Sequence, residues 1–515
     1  MKKLYILHPF LFGIYPVLAL YAYNIGQVYF KEALLWIAAI LCLVSILLFL
    51  CGSFLRNYKK AAVIVSAFLT LFFLYGYIYD MACETTVYVV IRHSLLLPIW
   101  AAIFALIVYL IVRTSVGLDN LTRILNVIGA SLVLISLASI AGYELHAAYD
   151  AGFKRSAVFT QSAEMAALKK PVAPPDIYYI IMDKYASEIS LKNFYGFDNS
   201  QFIDYLSGRG FYVASDTYAN YSCTVHSLSS SLNMEYIDGF LTPAMRESSV
   251  HYRLMYPMFQ DYRVWHILRS MGYKFIHFGS MWEPTSKNKY ADMNVNLATL
   301  SDFSMMLYRS TVVFPIFIKL GIYDPDKEEW KRIRYQFDQL GNMPEIKGPI
   351  FVFAHLYVPH VPYVFDRDGS FVNEKIRGKR TEIENYINQL IYTNTMAEEM
   401  VAKILSRSRR PPIIILQGDE GPFPPRFDIE HYSFDWRTAT GEELRHKSGV
   451  LNAYYLPGIA DNHLYKSITP VNSFREIFNL YFGGHFPLLP DRNYVYQDEE
   501  HVYTLIDVTD KIRHK

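Results

Sequence analysis

The first 150 residues consist of long apolar runs with almost no polar positions between them. Each run is close to the roughly 20 apolar residues that a helix needs to cross about 30 Å of hydrocarbon. Runs in close succession also lack the polar face that a surface helix of a soluble protein turns to water. The pattern therefore predicts five transmembrane helices, at Leu4–Tyr23, Leu34–Phe54, Ala61–Tyr79, Leu95–Val112 and Ile124–Tyr143.

Beyond residue 175 the pattern changes to short runs rich in β-branched residues. Three of them, Ile177–Met182, Ile350–Ala354 and Ile413–Gly418, are bounded by proline, glycine or charged residues. Such runs are typical of strands buried on both faces of a parallel sheet. We predict an α/β domain with a mostly parallel central sheet, in which ligands bind beyond the carboxyl ends of the strands.

Pro171, Pro174 and Pro175 stiffen the chain between these two regions and stop a helix from continuing. Before them, Phe153–Lys170 mixes bases with an apolar stripe and is either a helix lying on the membrane surface or a solvated connector. We divide the chain into a transmembrane domain (1–150), a juxtamembrane linker (151–174) and an extracytoplasmic catalytic domain (175–515).

Charge sets the predicted orientation. One set of helix ends carries most of the bases, namely Lys2, Lys3, Arg56, Lys59, Lys60, Arg113 and Arg123. The alternate connections carry only Lys31 and Arg92 beside three acidic residues. The positive-inside rule then places the amino terminus in the cytoplasm and the domain after the fifth span outside the cell (plasma or inner) membrane.

The composition argues against several classes of function. The apolar fraction is 52% against 19% charged residues, and the net charge of +1 comes without a basic stripe, which argues against a nucleic-acid partner. The four cysteines form no disulfide framework and no CxxC metal motif. The spans hold almost no charge at mid-depth, which argues against a transporter.

The candidate chemistry follows the three predicted strands. Asp183 follows the first, His355 and His360 follow the second, and the adjacent acids Asp419 and Glu420 follow the third. A single carboxylate at a strand end is often a turn residue, and a single histidine is often structural. Adjacent buried carboxylates, however, repel each other unless a cation or several donors neutralise them. Mg, Mn, Ca or Zn ions accept such ligands.

Candidate nucleophiles are concentrated in the segment 220–233, where seven of fourteen residues are Ser, Thr or Cys. Some of these hydroxyls serve only as helix caps. A hydroxyl next to a metal ion, in contrast, has a lowered pKa and becomes a usable nucleophile.

The order of these residues resembles the alkaline phosphatase/sulfatase superfamily. Five spans followed by an outward-facing domain resemble its membrane-bound branch, which includes lipoteichoic acid synthases and lipid A phosphoethanolamine transferases. The resemblance implies that Asp183, Thr224, Asp419 and Glu420 bind metal, with Thr224 also the nucleophile in a T-x-x-S-x-x-S context.

The same resemblance gives His355 or His360 a catalytic role, at the substrate's charged group or a second metal. His446 and Lys447 stand where the family often has a substrate-binding His or Lys. The implied fold is alkaline phosphatase-like.

Two departures from the family pattern matter. Glu420 stands where the family's Asp-His-Gly has histidine, which favours a harder ion such as Mn or Mg over Zn, or else weakens the site; Zn and Ca are the other possible ions. Cys223 lacks the proline and arginine of the C/S-x-P-x-R sulfatase motif, which argues against a sulfatase nucleophile.

The expected function is a membrane-anchored, metal-dependent phosphotransferase or phosphoric-ester hydrolase with a membrane lipid or envelope glycan as substrate. The alternatives are a sulfatase and a catalytically silent envelope-binding member of the same fold.

Overall fold

Two units make up the chain. A computed structural model describes residues 5–513 apart from 86–92, 151–164, 166, 243–244, 247–251, 298–299, 431–432 and 460–462. Unit 1 comprises Met1–Tyr149 and Leu300–Pro325, and unit 2 comprises Asp150–Thr299 and Asp326–Lys515. The chain therefore passes between the units three times.

Unit 1 contains five long apolar helices, which confirms the five predicted ones. They are α1 (His8–Tyr23), α2 (Phe30–Leu55), α3 (Tyr58–Thr85), α4 (His93–Arg113) and α5 (Asp119–Asp150). The last four are long and apolar enough to cross a membrane. The described part of α1 has 16 residues, or about 24 Å of helix, and residues 1–4 lie outside the described part.

Unit 1 also contains a segment that the sequence pattern placed in the domain 175–515. We call residues 300–325 the 300–325 hairpin; its two helices span Asp302–Arg309 and Val313–Lys319. Phe303 and Leu307 share a buried apolar core with side chains of α1, α2 and α3. The apolar runs of the N-terminal region alone did not reveal this association.

Unit 2 is built on a seven-stranded sheet in the order β2-β7-β6-β1-β5-β3-β4. Its strands are β1 (Ile177–Met182), β2 (Tyr212–Val213), β3 (Lys274–Phe278), β4 (Met293–Val295), β5 (Ile350–Leu356), β6 (Ile413–Gln417) and β7 (Asn452–Tyr455). The five strands from β6 to β4 in that order run parallel, whereas β7 is antiparallel to both of its neighbours. The predicted mostly parallel α/β sheet is confirmed.

Alternate residues of β1 face two helical layers, which explains why this strand is apolar throughout. Tyr178, Ile180 and Met182 join a core that includes side chains of helix Glu382–Arg407. On the other face, the Tyr179 ring meets Phe474 of helix Pro470–Phe482 edge-on at 5.1 Å. A central strand covered on both faces has no position for a polar side chain except at its ends.

Shorter elements complete unit 2. A two-stranded antiparallel sheet joins β8 (Tyr494–Tyr496) to β9 (Leu505–Asp507). The remaining α-helices are Glu188–Tyr195, Ser200–Gly208, Thr224–Asn233, Pro257–Gln260, Arg263–Ser270, Glu283–Ser286, Pro325–Leu340, Glu374–Arg377, Pro425–Glu430, Gly441–Ser448 and Thr509–Arg513. Short 3-10 helices occupy Ile237–Phe240, Tyr252–Leu254, Met343–Glu345 and Trp436–Thr438.

Several sequence-based expectations fall outside the described residues. They concern the bases Lys2, Lys3 and Arg92 and most of the segment Phe153–Lys170. At the end of that segment, the Lys169 N–H donates to the carbonyl oxygen of Phe482 at 2.8 Å, so this end of the linker belongs to unit 2.

Candidate active site

Three side chains meet at the carboxyl edge of the parallel sheet. Asp183 directly follows β1, His355 is the sixth residue of β5, and Asp419 lies two residues beyond β6. The register pairs Ile181 of β1 with both His355 and Gln417, which brings the three positions side by side. One ligand atom from each residue lies within 4.8 Å of the other two, and all three side chains are buried.

Main-chain hydrogen bonds hold the two acidic loops together. The Asp183 N–H donates to Leu356 O at 2.9 Å, and the Lys184 N–H donates to Asp419 Oδ1 at 3.2 Å. Lys184 adopts a left-handed conformation, with φ of 60°, which turns the chain sharply after Asp183. At this turn the Lys184 N–H points to the Asp419 carboxylate.

The environment separates the pKa values of the two acids. Burial favours the neutral form of both. For Asp183 the interactions with His360, His355 and Lys184 outweigh burial and lower the pKa to about 2. For Asp419, burial and repulsion from Asp183 and Glu420 raise the pKa to about 7.

The third member, His355, is oriented by Thr285, which was not among the predicted site residues. Its Nε2 lies 3.3 Å from Asp183 Oδ2, and its Nδ1 lies 2.9 Å from the Thr285 hydroxyl. The Ser280 hydroxyl lies 2.8 Å from the same Thr285 oxygen. With Nδ1–H donating to Thr285, the Nε2 lone pair points toward the acids, as a metal-binding imidazole requires. Thr285 lies in the short helix Glu283–Ser286, 70 residues before His355, and belongs to no recognisable sequence motif.

This donor set fits a divalent metal ion. Asp183 Oδ1 and Asp419 Oδ2 are buried and accept no hydrogen bond of ordinary geometry among the described residues. Buried carboxylate oxygens without donors are costly unless a cation neutralises them. Two carboxylates and one imidazole suit zinc or manganese better than calcium, which prefers oxygen ligands alone.

Thr224 lies beside this cluster at the first position of helix Thr224–Asn233. Its side chain is half-buried, and its interaction with Asp419 is among the influences that lower the pKa of that carboxyl against burial. Most other hydroxyls of the segment are structural. Ser229 and Ser231, for example, donate to main-chain carbonyls one turn earlier in the helix.

Cys223 precedes Thr224 and is a poor thiolate. Burial, together with the negative charge of Glu420, raises the pKa of its thiol well above the ordinary value. Since the thiolate is the nucleophilic form, Cys223 is not suited to attack an ester at neutral pH. The geometry therefore favours the threonine over the cysteine.

Glu420 is paired with a cation from the protein itself. Its Oε2 lies 3.0 Å from the Lys447 ammonium, and both side chains are buried. Lys447 also donates to Gly421 O at 3.0 Å and stands 3.5 Å from the centre of the Phe423 ring. The ligand role predicted for Glu420 therefore competes with this ion pair, and Lys447 is held inside the site.

The two remaining predicted residues have separate surroundings. His360 is half-buried and its Nδ1 lies 2.5 Å from Val361 O; burial and the nearby Lys184 lower its pKa to about 3, so the ring is neutral at pH 7. His446 Nε2 lies 2.9 Å from the Tyr195 hydroxyl, and its ring stacks on Phe194. His446 is thus engaged by aromatic residues of helix Glu188–Tyr195.

Comparison with known proteins finds similarity at low identity. No family model and no curated protein matches the chain. The C-terminal periplasmic domain of EptC from Escherichia coli, in complex with zinc, is 11% identical with a TM-score of 0.43, over 66% of this chain and 94% of that one.

Two further solved structures are also similar. The integral membrane lipooligosaccharide phosphoethanolamine transferase A from Neisseria meningitidis is 12% identical with a TM-score of 0.38, over 92% of this chain and 94% of that one. The lipoteichoic acid synthase LtaP from Listeria monocytogenes is 14% identical with a TM-score of 0.37, over 69% and 84%. At these identities the likeness assigns no activity to the chain.

Proposed function

We propose that this membrane protein is a metal-dependent enzyme that transfers or hydrolyses a phosphoric ester of a cell-envelope lipid or glycan through Thr224. The observation that carries the proposal is the buried cluster of Asp183, His355 and Asp419, with the Thr224 hydroxyl next to Asp419. An acid-rich buried cluster next to a hydroxyl at a helix N-terminus is an arrangement suited to phosphoryl transfer.

The roles of the residues follow from their surroundings. Bound by Asp183, His355 and Asp419, a divalent ion supplies Lewis-acid stabilisation of negative charge on a phosphoryl oxygen. Asp419 interacts with Thr224, which lowers the pKa of its carboxyl, and in this mechanism Asp419 orients the Thr224 oxygen toward the phosphorus. The Thr224 oxygen then loses its proton to solvent and forms a bond to phosphorus as the bond to the leaving alkoxide breaks, and the leaving oxygen takes a proton from solvent.

The second half of the reaction restores the enzyme. Water or an acceptor hydroxyl attacks the phosphothreonine, and the proton that it loses returns to Thr224. His360 is neutral at pH 7, because burial lowers its pKa, so it serves as a hydrogen-bonding group rather than a reserve of protons. Anchoring in the membrane favours a phospholipid headgroup as the donor.

The experiment is an activity assay on the full-length protein in detergent with Mn, Mg, Zn or Ca. Substrates are bis(p-nitrophenyl) phosphate, p-nitrophenyl sulfate, and fluorescent phosphatidylethanolamine and phosphatidylglycerol. We expect phosphodiester turnover that Thr224→Ala abolishes, with phosphate trapped on the peptide that carries Thr224. Ser229→Ala is the matched control, because its hydroxyl donates to Val225 O at 2.6 Å within the helix.

The outcomes separate the alternatives. Near-normal turnover in Thr224→Ala would refute the nucleophile. Cleavage of the sulfate ester alone would identify a sulfatase. Stoichiometric bound metal without turnover of any ester would favour the silent envelope-binding protein.

A further inference from the structure

The 300–325 hairpin has a chemical character unlike that of its neighbours in the sequence. From Val312 to Tyr323 its only charged residue is Lys319. Ile316, Leu320 and Ile322 are exposed, at 37%, 66% and 59% of their surfaces. Three large aliphatic side chains exposed within seven residues form an apolar face whose exposure to water is unfavourable.

The first helix of the hairpin is bound to the transmembrane helices of unit 1. Phe303 and Leu307 are buried in the core that those helices share. The Trp36 indole N–H donates to the Ser304 hydroxyl at 2.8 Å, and the Ser301 hydroxyl donates to Glu32 of α2 at 2.8 Å. The first helix of the hairpin is therefore seated on the start of α2.

The turn of the hairpin is seated on the main chain of α3. The Gly76 N–H donates to Ser310 O at 2.9 Å, and the Val312 N–H donates to Phe72 O at 3.0 Å. Gly76 N–H and Phe72 C=O are the two groups that pair with each other in a regular α-helix, four residues apart. Gly76 lies three residues before Tyr79, where the predicted third span ends, and is therefore about 4.5 Å inside that span.

The turn can lie at that depth because its polar groups are satisfied. The N–H groups of Ser310 and Thr311 donate to Met306 O and Tyr308 O, and their hydroxyls donate to Leu307 O and Tyr308 O. Non-helical backbone is tolerated at membrane depth only when protein supplies such partners.

We propose that the 300–325 hairpin is a re-entrant membrane element, seated on Phe72 and Gly76 of α3, whose face of Ile316, Leu320 and Ile322 contacts lipid acyl chains. The hairpin belongs to the same unit as the transmembrane helices and shares their buried apolar core. The proposal is independent of the reaction catalysed in unit 2.

Photolabelling from the lipid tests this assignment. The full-length protein is reconstituted in phosphatidylcholine vesicles that carry a diazirine in mid-chain, irradiated and digested with trypsin. Cleavage after Arg309 and Lys319 releases the hairpin peptide Ser310–Lys319. We expect it to be labelled to the level of the α2 peptide Glu32–Arg56 and well above the unit 2 peptide Thr381–Lys403, which carries the exposed Ile383.

A matched pair of glycine variants tests the seat on α3. A Cβ at Gly76 would stand 2.4 Å from Arg309 O, whereas a Cβ at Gly142 of α5 would meet nothing within 4 Å. Gly76→Ala should lose labelling of Ser310–Lys319 while Glu32–Arg56 stays labelled, and Gly142→Ala should keep both. The proposal is overturned by hairpin labelling no higher than that of Thr381–Lys403, or by unchanged labelling in Gly76→Ala.

Discussion

Within the site, the two clustered acids bind protons with very different strength. Asp183 is ionised at neutral pH, while burial and repulsion raise the pKa of Asp419 to about 7. In the metal-free protein, the folded state therefore holds the Asp419 proton more tightly than the unfolded chain does. The stability of the folded protein therefore falls as pH rises from about 4 toward 7, because in this range the Asp419 carboxyl is ionised in the unfolded chain but still protonated in the folded state.

The same proton competes with metal at Asp419. Below pH 7 an incoming metal ion must displace this proton. The apparent affinity for the metal should therefore weaken by about tenfold for each unit by which the pH falls, and binding should release a proton. Titration calorimetry of Mn²⁺ binding at pH 6 and pH 8, in buffers of different ionisation enthalpy, measures the affinity and the number of protons released. The exposed carboxyl of Asp368 lies outside the cluster, so Asp368→Asn should keep this dependence. An affinity independent of pH would contradict the raised pKa.

At the residue scale, the sequence identified the members of the cluster but not their partners. Asp183, His355 and Asp419 were predictable because the ends of buried parallel strands converge on one edge. Thr285 and the pairing of Glu420 with Lys447 were not, since each contact joins residues of different elements and depends on the folded geometry.

Among the elements, the predictable strands were the central ones. β1, β5 and β6 are covered on both faces and therefore read as continuous apolar runs. β2 and β4, at the edges of the sheet, have two and three residues, and such short segments leave no periodic signal. The 300–325 hairpin was not predicted because the sequence on both sides of it has the pattern of a water-soluble domain, and its short apolar run was assigned to that domain.

The turn after β6 depends on a close approach to helix Gly441–Ser448. The Gly421 N–H donates to Lys447 O at 2.7 Å, and a Cβ at Gly421 would stand 2.5 Å from His446 O. Gly421→Ala should therefore move the turn that carries Asp419, lower the melting temperature by an amount corresponding to about 1–3 kcal/mol, and weaken Mn²⁺ binding.

The control for that variant is Gly208→Ala, at the end of helix Ser200–Gly208, where a Cβ would meet nothing within 4 Å. It should leave metal binding unchanged and stability equal or slightly higher. Equal melting temperatures and equal Mn²⁺ affinities in the two variants would show that the turn accommodates a Cβ at Gly421 without moving.

At the scale of the whole molecule, unit 1 has one basic end. The Lys59 ammonium lies 2.6 Å from Asp119, and Lys60 donates to Val112 O at 2.8 Å, so the start of α3, the end of α4 and the start of α5 meet there. The 300–325 hairpin contacts the start of α2 and the later part of α3. These lie toward the opposite end of the bundle, because successive helices alternate in direction.

The basic end should face the cytoplasm, since bases in short loops are retained there during insertion. Reporter fusions in a bacterial host measure this. Green fluorescent protein inserted after Thr114 should fluoresce, and β-lactamase inserted after Gln27 or fused after Lys515 should confer ampicillin resistance. The exchanged reporters at the same sites are the matched controls and should be silent. Resistance from β-lactamase after Thr114 would place the basic end outside and would put the site of unit 2 in the cytoplasm, away from envelope substrates.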